Sequence, residues 1–284
     1  MDQRFIELYN VYVHGGMNRR GFLERLGVLA GGTAAATALL PLLENNMAKA
    51  ETISESDARI VVRDVDVPGV SGLRGHLARP ADATDRPAVL VIHENRGLNA
   101  HIKDVTRRMA VAGFVALGLD YLGPLGGTPD DADEAGALFR EVTPEAALAS
   151  GQAALAFLDG LQGATGKVGA IGFCWGGGQV NNLAVNSPLL DAGVAYYGNQ
   201  APADRVPEIR APLLLHYAAL DERINAGIPA FEAALTAHGK TFDLHLYEGT
   251  NHGFNNDTNA ARFNQNAADL AWNRSIAFLT RNLA

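Results

Sequence analysis

The chain has 284 residues, of which 48% are hydrophobic and 19% charged, with a formal charge of −8; that composition is ordinary for a globular protein, and the length allows a large core. The acidic balance and the lack of a basic stripe argue against nucleic acid as a partner, because phosphate binding needs clustered Lys and Arg. A single cysteine, Cys174, excludes an intramolecular disulfide and any multi-cysteine metal site, and the sequence implies no metal and no organic cofactor.

Residues 1–50 differ from the rest. The run NRRGFLERLGVLAGG sets Arg19 and Arg20 just before Phe22 and Leu23, and a stretch rich in Ala, Gly and Leu follows to Leu43. Ala48 and Ala50 place small residues at the two positions a signal peptidase reads, so that a mature chain starts near Glu51. This resembles a twin-arginine export signal and implies a periplasmic protein. Gly31, Gly32, Thr33, Thr37 and Pro41 make the stretch a poor permanent membrane span. The alternative is an N-terminal helical segment that stays attached, packs on the domain and belongs to a cytoplasmic protein. The acidic lead-in, Asp2 and Glu7, favours that alternative.

From residue 51 to 284 the pattern reads as one domain. RIVVRDVDV (59–67) and LRGHLARP (73–80) alternate around PGVSG, which predicts an antiparallel pair. PAVLVIHE (87–94) is a continuous apolar run, as a strand buried on both faces requires. A helical pattern over 102–112 stops at Gly113, and FVALGLD (114–120) is the next buried strand. Helices near 131–140 and 144–161 lead to the strand KVGAIGF (167–173). A helix to about 187, the strands AGVAYYG and PLLLHYA, a helix over 229–237, the strand FDLHLYE and a helix from about 267 to 282 complete the order. Alternating strands and helices predict an α/β fold, a mostly parallel central sheet with helices on both faces.

Ligands of such sheets sit at the carboxyl ends of the strands. Cys174 lies there, in Gly172-Phe173-Cys174-Trp175-Gly176, a G-x-nucleophile-x-G turn with cysteine in the serine position. Glycines permit the tight, strained turn, and the following helix N-terminus favours thiolate over thiol. The competing reading is a structural cysteine beside a glycine-rich loop, and its partners decide between the two. On an α/β-hydrolase fold the acid and then the base follow the nucleophile in sequence. Asp221 follows a strand in LDERIN, where a helix N-cap is its plainer role. His252 lies in the loop GTNHGFNN after the last strand. His216 and His245 fall inside strands, His76 in the early hairpin, His93 beside the next element, and His14, His101 and His238 on expected surface segments. The loop HENRGLN (93–99) after the first buried strand nominates the backbone N–H of Asn95 for the oxyanion hole, with that of Trp175. Glu94 is an odd neighbour for developing negative charge.

These features resemble the dienelactone hydrolase family (carboxymethylenebutenolidase-like, of the α/β-hydrolase superfamily), from about residue 58 to the end. The matching residues are the G-x-C-x-G-G turn at Cys174, the order Asp221 then His252, and Glu94 ending the first buried strand. The resemblance implies that Glu94 hydrogen-bonds the resting thiol, takes its proton when substrate displaces it, and so keeps Cys174 guarded. It also implies hydrolysis of a small-molecule ester or lactone through a Cys–Asp–His triad and a thioester. Arginines that would hold the carboxylate of dienelactone are absent from 253–257 and from 119–134, so a different substrate is expected. Arg96 is the candidate anion partner, and Tyr121, Tyr197, Phe254 and Trp175 are candidate pocket walls. A thioesterase or other acyl-transfer hydrolase with the same residues, and a non-catalytic binding protein on this fold, stay open as alternatives.

Overall fold

The structure is a computed structural model that describes residues 1–46, 50–82 and 84–284. Ala48, expected at a cleavage site, lies outside the described residues. The chain opens with three helices, α1 (Gln3–Val13), α2 (Arg19–Ala30) and α3 (Thr33–Leu43). Asn18 caps α2 by accepting from Gly21 N at 2.8 Å, and Gly31 ends it in the left-handed region at φ 81°. Tyr9, Phe22, Leu26, Ala36 and Leu43 bury a small core of their own. No single described helix is long and apolar enough to cross a membrane; α2 and α3 pass that test only as a pair bent by 114°.

The remainder forms one eight-stranded sheet in the order β1-β2-β4-β3-β5-β6-β7-β8. The strands are β1 (Ile60–Asp66), β2 (Arg74–Pro80), β3 (Arg86–Ile92), β4 (Val115–Asp120), β5 (Ala164–Phe173), β6 (Ala192–Tyr196), β7 (Leu213–Ala218) and β8 (Phe242–Tyr247). β2 is antiparallel to β1 and β4, and the other neighbours are parallel. The helices are α4 (Ala100–Val111), α5 (Ala132–Phe139), α6 (Pro144–Asp159), α7 (Trp175–Asn186), α8 (Glu222–Asn225), α9 (Ile228–Ala237) and α10 (Gln265–Asn282). Continuous apolar runs serve two cores at once because successive side chains point to opposite faces. Leu90 and Ile92 of β3 join Leu155 and Leu158 of α6 and Leu183 of α7 on one face. Val89 and Val91 join Ile102, Val105 and Met109 of α4 and Phe278 and Leu279 of α10 on the other.

The N-terminal helices dock over the carboxyl edge of this sheet. Gln3 Nε2 donates to Asn251 Oδ1 at 2.7 Å, and Asn95 Nδ2 donates to the Val13 carbonyl at 2.6 Å. Arg19 pairs with Asp133 at 2.6 Å, and Tyr12 donates its hydroxyl hydrogen to the same carboxylate at 2.5 Å. Asn259 Nδ2 donates to the Leu43 carbonyl at 2.7 Å, and Asn46 N donates to the Thr258 carbonyl at 2.7 Å.

The turn from β5 into α7 fixes where the sheet presents its chemistry, and close backbone approach explains its glycines. A Cβ on Gly172 would strike the Gly176 carbonyl, and one on Gly176 would strike the carbonyls of Ile92 and His93. Gly178 faces open space by comparison, its nearest neighbour being Asn199 N at 3.4 Å. Gly172→Ala or Gly176→Ala should therefore lower unfolding free energy by about 3 kcal/mol or more, the cost of forced overpacking. Gly178→Ala should stay within about 1 kcal/mol of wild type, because better helix propensity offsets its tighter fit. Urea unfolding of the three variants checks this ordering.

Candidate active site

Cys174 sits between β5 and α7 with φ 56° and ψ −116°, a conformation an L-residue adopts only under constraint. The constraint is the glycine-lined backbone contact beneath it, together with its own N–H donating to the Tyr196 carbonyl at 3.0 Å. The side chain is half-buried at the start of α7. Trp175, the first residue of α7, has a backbone N–H with no intrahelical acceptor. The Asn95 N–H likewise has no backbone partner among the described residues. Both expected oxyanion donors thus keep their N–H groups free of the fold's own ladders.

Asp221 follows β7 and does two jobs. Oδ1 accepts from Ile224 N at 3.4 Å, the capping role, and Oδ2 accepts from His252 Nδ1 at 2.5 Å. Both side chains are buried. His252 lies in the loop after β8, its ring 4.9 Å from that of Tyr197, and its Nε2 is buried without a nitrogen or oxygen partner. The imidazole nitrogens of His252 and His14 and the sulfur of Cys174 all lie within 4.8 Å of one another. That loop is pinned from outside the site: Asp257 pairs with Arg108 at 2.5 Å and with His101 at 3.2 Å.

Electrostatics polarise the pair. Burial pushes the Cys174 thiol up, but the positive charge of His252 and the neighbouring His14 outweigh it and bring the pKa down to about 5. Burial lowers His252, yet the neighbouring thiolate and the bond to Asp221 raise it to about 9. Between those values the resting pair is thiolate and imidazolium, a state in which sulfur is nucleophilic.

Glu94 lies in the wall of the smaller cavity beside Cys174, but its Oε2 accepts from Asn256 Nδ2 at 3.1 Å. No Glu94–Cys174 hydrogen bond is found among the described residues; the side chain that meets the sulfur is His14, whose Nε2 lies 3.6 Å from Sγ. The sequence pattern alone places His14 on a surface segment. Its proximity depends on α1 docking across 160 residues of chain, for which the local sequence gives no signal.

Two cavities meet at Cys174. The smaller, about 250 Å³, includes Tyr9, His14, Glu94, Arg96, His252 and Arg262 in its walls. The larger, about 750 Å³, runs past Val13, Arg96, Phe139, Trp175, Tyr197 and Arg223. Arg96, Trp175 and Tyr197 line the larger cavity. Tyr121 does not: it is buried with its ring edge-on to Trp175 at 5.0 Å, a support behind the wall. Phe254 is fully buried in the sheet core, packed on Tyr197 and Tyr247, because the loop after His252 folds inward. Arg262, ten residues after His252 and beyond 253–257, brings a guanidinium to the smaller cavity; it lies over the Tyr9 ring at 5.3 Å and donates to Asn10 Oδ1 at 3.3 Å. His101 is buried rather than exposed.

Known proteins were compared with this arrangement. The family model described as dienelactone hydrolase family matches residues 73–283, and one described as YqhI-like matches residues 1–31. A protein of Saccharolobus solfataricus named "Putative carboxymethylenebutenolidase" is 31% identical over 74% of this chain and 94% of its own length. A protein of a Bradyrhizobium species named "Probable 2-oxo-3-(5-oxofuran-2-ylidene)propanoate lactonase" is 31% identical over 78% of this chain and 93% of its own. Among solved structures, a "Putative Dienelactone Hydrolase" from Klebsiella pneumoniae is 26% identical with a TM-score of 0.69, covering 78% of this chain and 98% of that one. The sheet order, the strained cysteine turn and the family match over 73–283 lead to one assignment: the chain belongs to the dienelactone hydrolase family, hydrolases of esters and lactones on the α/β-hydrolase fold.

Proposed function

We propose that the chain hydrolyses a carboxylic ester or lactone by covalent catalysis at Cys174, with His252 as general acid and base and Asp221 as its orienting partner. The observation that supports this most directly is the strained Cys174 turn beside a buried His252 held by Asp221 at 2.5 Å. In acylation the sulfur attacks the carbonyl carbon and the carbonyl electron pair moves to oxygen, where the N–H groups of Asn95 and Trp175 stabilise it. Collapse breaks the bond to the leaving oxygen, which takes the His252 proton. Water then attacks the thioester, gives its proton to His252, and the thiolate leaves. Asp221 keeps Nδ1 protonated throughout, so Nε2 stays the exchanging atom.

Binding energy for the substrate comes from the larger cavity, where Trp175 and Phe139 offer apolar faces and Arg96, Arg140 and Arg223 offer positive charge. Gly136 of α5 leaves the space that the Arg96 guanidinium fills. This supports an ester or lactone that carries an anionic group remote from the reacting carbonyl. The site residues are equally compatible with thioester substrates, and the ester panel below separates the two.

Cys174→Ala should reduce kcat/KM on simple aryl esters and lactones by about a millionfold, as removal of a nucleophile from a coupled triad does. Steady-state kinetics of both proteins on a panel of esters, lactones and thioesters measures it, and equal rates would refute the assignment. The pH dependence has a defined sign. Thiolate forms above about 5 and imidazolium is lost above about 9, so kcat/KM should rise through the first value, hold, and fall through the second. Iodoacetamide labelling of Cys174 should likewise already be near its full rate at neutral pH, where a guarded neutral thiol would label slowly. Arg96→Ala should raise KM about tenfold for an ester bearing a carboxylate and leave its neutral isostere within about twofold, the difference of one charge-assisted hydrogen bond.

A further inference from the structure

We propose that His14, supplied by the N-terminal helices, is a second catalytic imidazole that shares the proton of Cys174 with His252. The inference rests on the reading of Cys174 as nucleophile. His14 Nδ1 lies 2.7 Å from the Asn10 carbonyl, which can only accept, so that nitrogen carries the hydrogen and Nε2 presents its lone pair. That Nε2 is the atom 3.6 Å from the sulfur. The ring stands edge-on to His252 at 4.9 Å and 84°. The site therefore has two imidazoles, each with Nδ1 bound to its own acceptor, Asp221 for His252 and Asn10 for His14, and one sulfur between their reach.

The position is built rather than incidental. The carbonyl of Val13, next to His14, accepts from Asn95, the residue whose own N–H is the nominated oxyanion donor. Arg262 grips Asn10, the acceptor that orients the ring. Arg19 and Tyr12 both hold Asp133 on the far wall. The segment also leaves the nucleophile reachable: the 750 Å³ cavity beside Cys174 has Val13, His14 and Gly15 as part of its wall, so α1 shapes the entrance without filling it. Residues 1–31 match a family model of their own, as a recurring unit would. Docked this way, the segment is a working part of the enzyme that the functional protein retains.

The chemistry balances with one mobile proton. At rest the sulfur's proton already sits on one Nε2; the thiolate forms the S–C bond, and that proton passes to the leaving oxygen when the C–O bond breaks. The other Nε2 keeps its lone pair and accepts a proton from water as the water oxygen bonds the acyl carbon. The C–S bond then breaks with its electrons on sulfur, which restores the thiolate beside a protonated imidazole. A second acceptor raises the fraction of time the sulfur is unprotonated and spares one imidazole from serving both half-reactions.

The test uses the full-length chain with His14→Gln, which can still donate to the Asn10 carbonyl, His14→Ala, and Cys174→Ala beside them. With an aryl ester, both His14 variants should lose about tenfold to a hundredfold in kcat with KM little changed, within the range for one acid–base group. The pH midpoint of iodoacetamide labelling of Cys174 should move upward, and added imidazole should restore part of the His14→Ala rate. The other charged groups around His14 are unchanged between these proteins: Glu94 and Arg96 after β3, Asp131 and Asp133 at α5, Arg19 and Glu44 of the N-terminal helices, Arg262 in the loop before α10 and Arg223 of α8. The comparison therefore isolates the imidazole. Wild-type kcat and an unmoved midpoint in His14→Gln would overturn the proposal, as would faster turnover in His14→Ala, the mark of a plug. Loss of rate through misfolding alone would show no imidazole rescue and an unmoved midpoint, and would also overturn it. If Cys174→Ala keeps its activity, the nucleophile reading itself fails; if it is dead while the His14 variants are normal, only the second imidazole falls.

Discussion

A cysteine at φ 56° is the constraint from which the rest of the site follows. Such a backbone costs about 1–3 kcal/mol and persists only where neighbouring structure over-determines it. Here the over-determination is steric. The carbonyls of Ile92, His93 and Tyr196 press so close to the α7 backbone that Gly176 and Gly177 have no room for a Cβ, and Gly172 is crowded by Gly176 in turn. The parallel strands β3, β5 and β6 thus clamp the first turn of α7 from two sides. That clamp lifts the sulfur above the sheet edge and leaves the Trp175 N–H unspent. Everything electrostatic comes afterwards: once the sulfur stands opposite a histidine anchored on Asp221, each group stabilises the other's charge, and burial strengthens the coupling that it would oppose for either alone.

Much of this was legible in the amino-acid sequence, for reasons that are local. The apolar runs over 87–94 and 114–120 encode strands buried on both faces, and the two cores share their side chains alternately, as such runs require. The glycines around Cys174 encode a close backbone approach, and chain order selects Asp221 and His252. The sequence was silent where geometry depends on distant segments meeting. His14 reaches the sulfur only because α1 folds back across the sheet edge, and nothing between Val11 and Gly16 distinguishes that histidine from a surface one. Arg262 is brought in by a loop that first buries Phe254, which is why a pocket role for Phe254 failed while a guanidinium farther along arrived. Glu94 lies two residues past the end of β3, and Asn256 donates to its carboxylate, a pairing across 162 residues that no motif spacing records.

The paired arginines at 19 and 20 both form ion pairs in the folded chain. Arg19 bridges Asp133 and Glu44, and Arg20 pairs with Glu24 on the exposed face of α2. Exposed pairs of this kind stabilise little individually. The docking strength comes instead from Asn259, Asn251 and Asn95 meeting carbonyl and amide groups of α1, of α3 and of Asn45, and from the small apolar core around Phe22. Such a unit, held by polar contacts to the rim of a site, forms part of its wall without belonging to the scaffold that presents Cys174.

Direct capture of the covalent intermediate tests the central claim. In His252→Ala protein mixed with an aryl ester and quenched in acid, deacylation is slowed and intact mass spectrometry reads the trapped species. The account expects one added acyl group per chain, localised to Cys174 by peptide sequencing and released by hydroxylamine as a thioester is. An acyl group on any other residue, or wild-type turnover through which Cys174 never carries one, would contradict it.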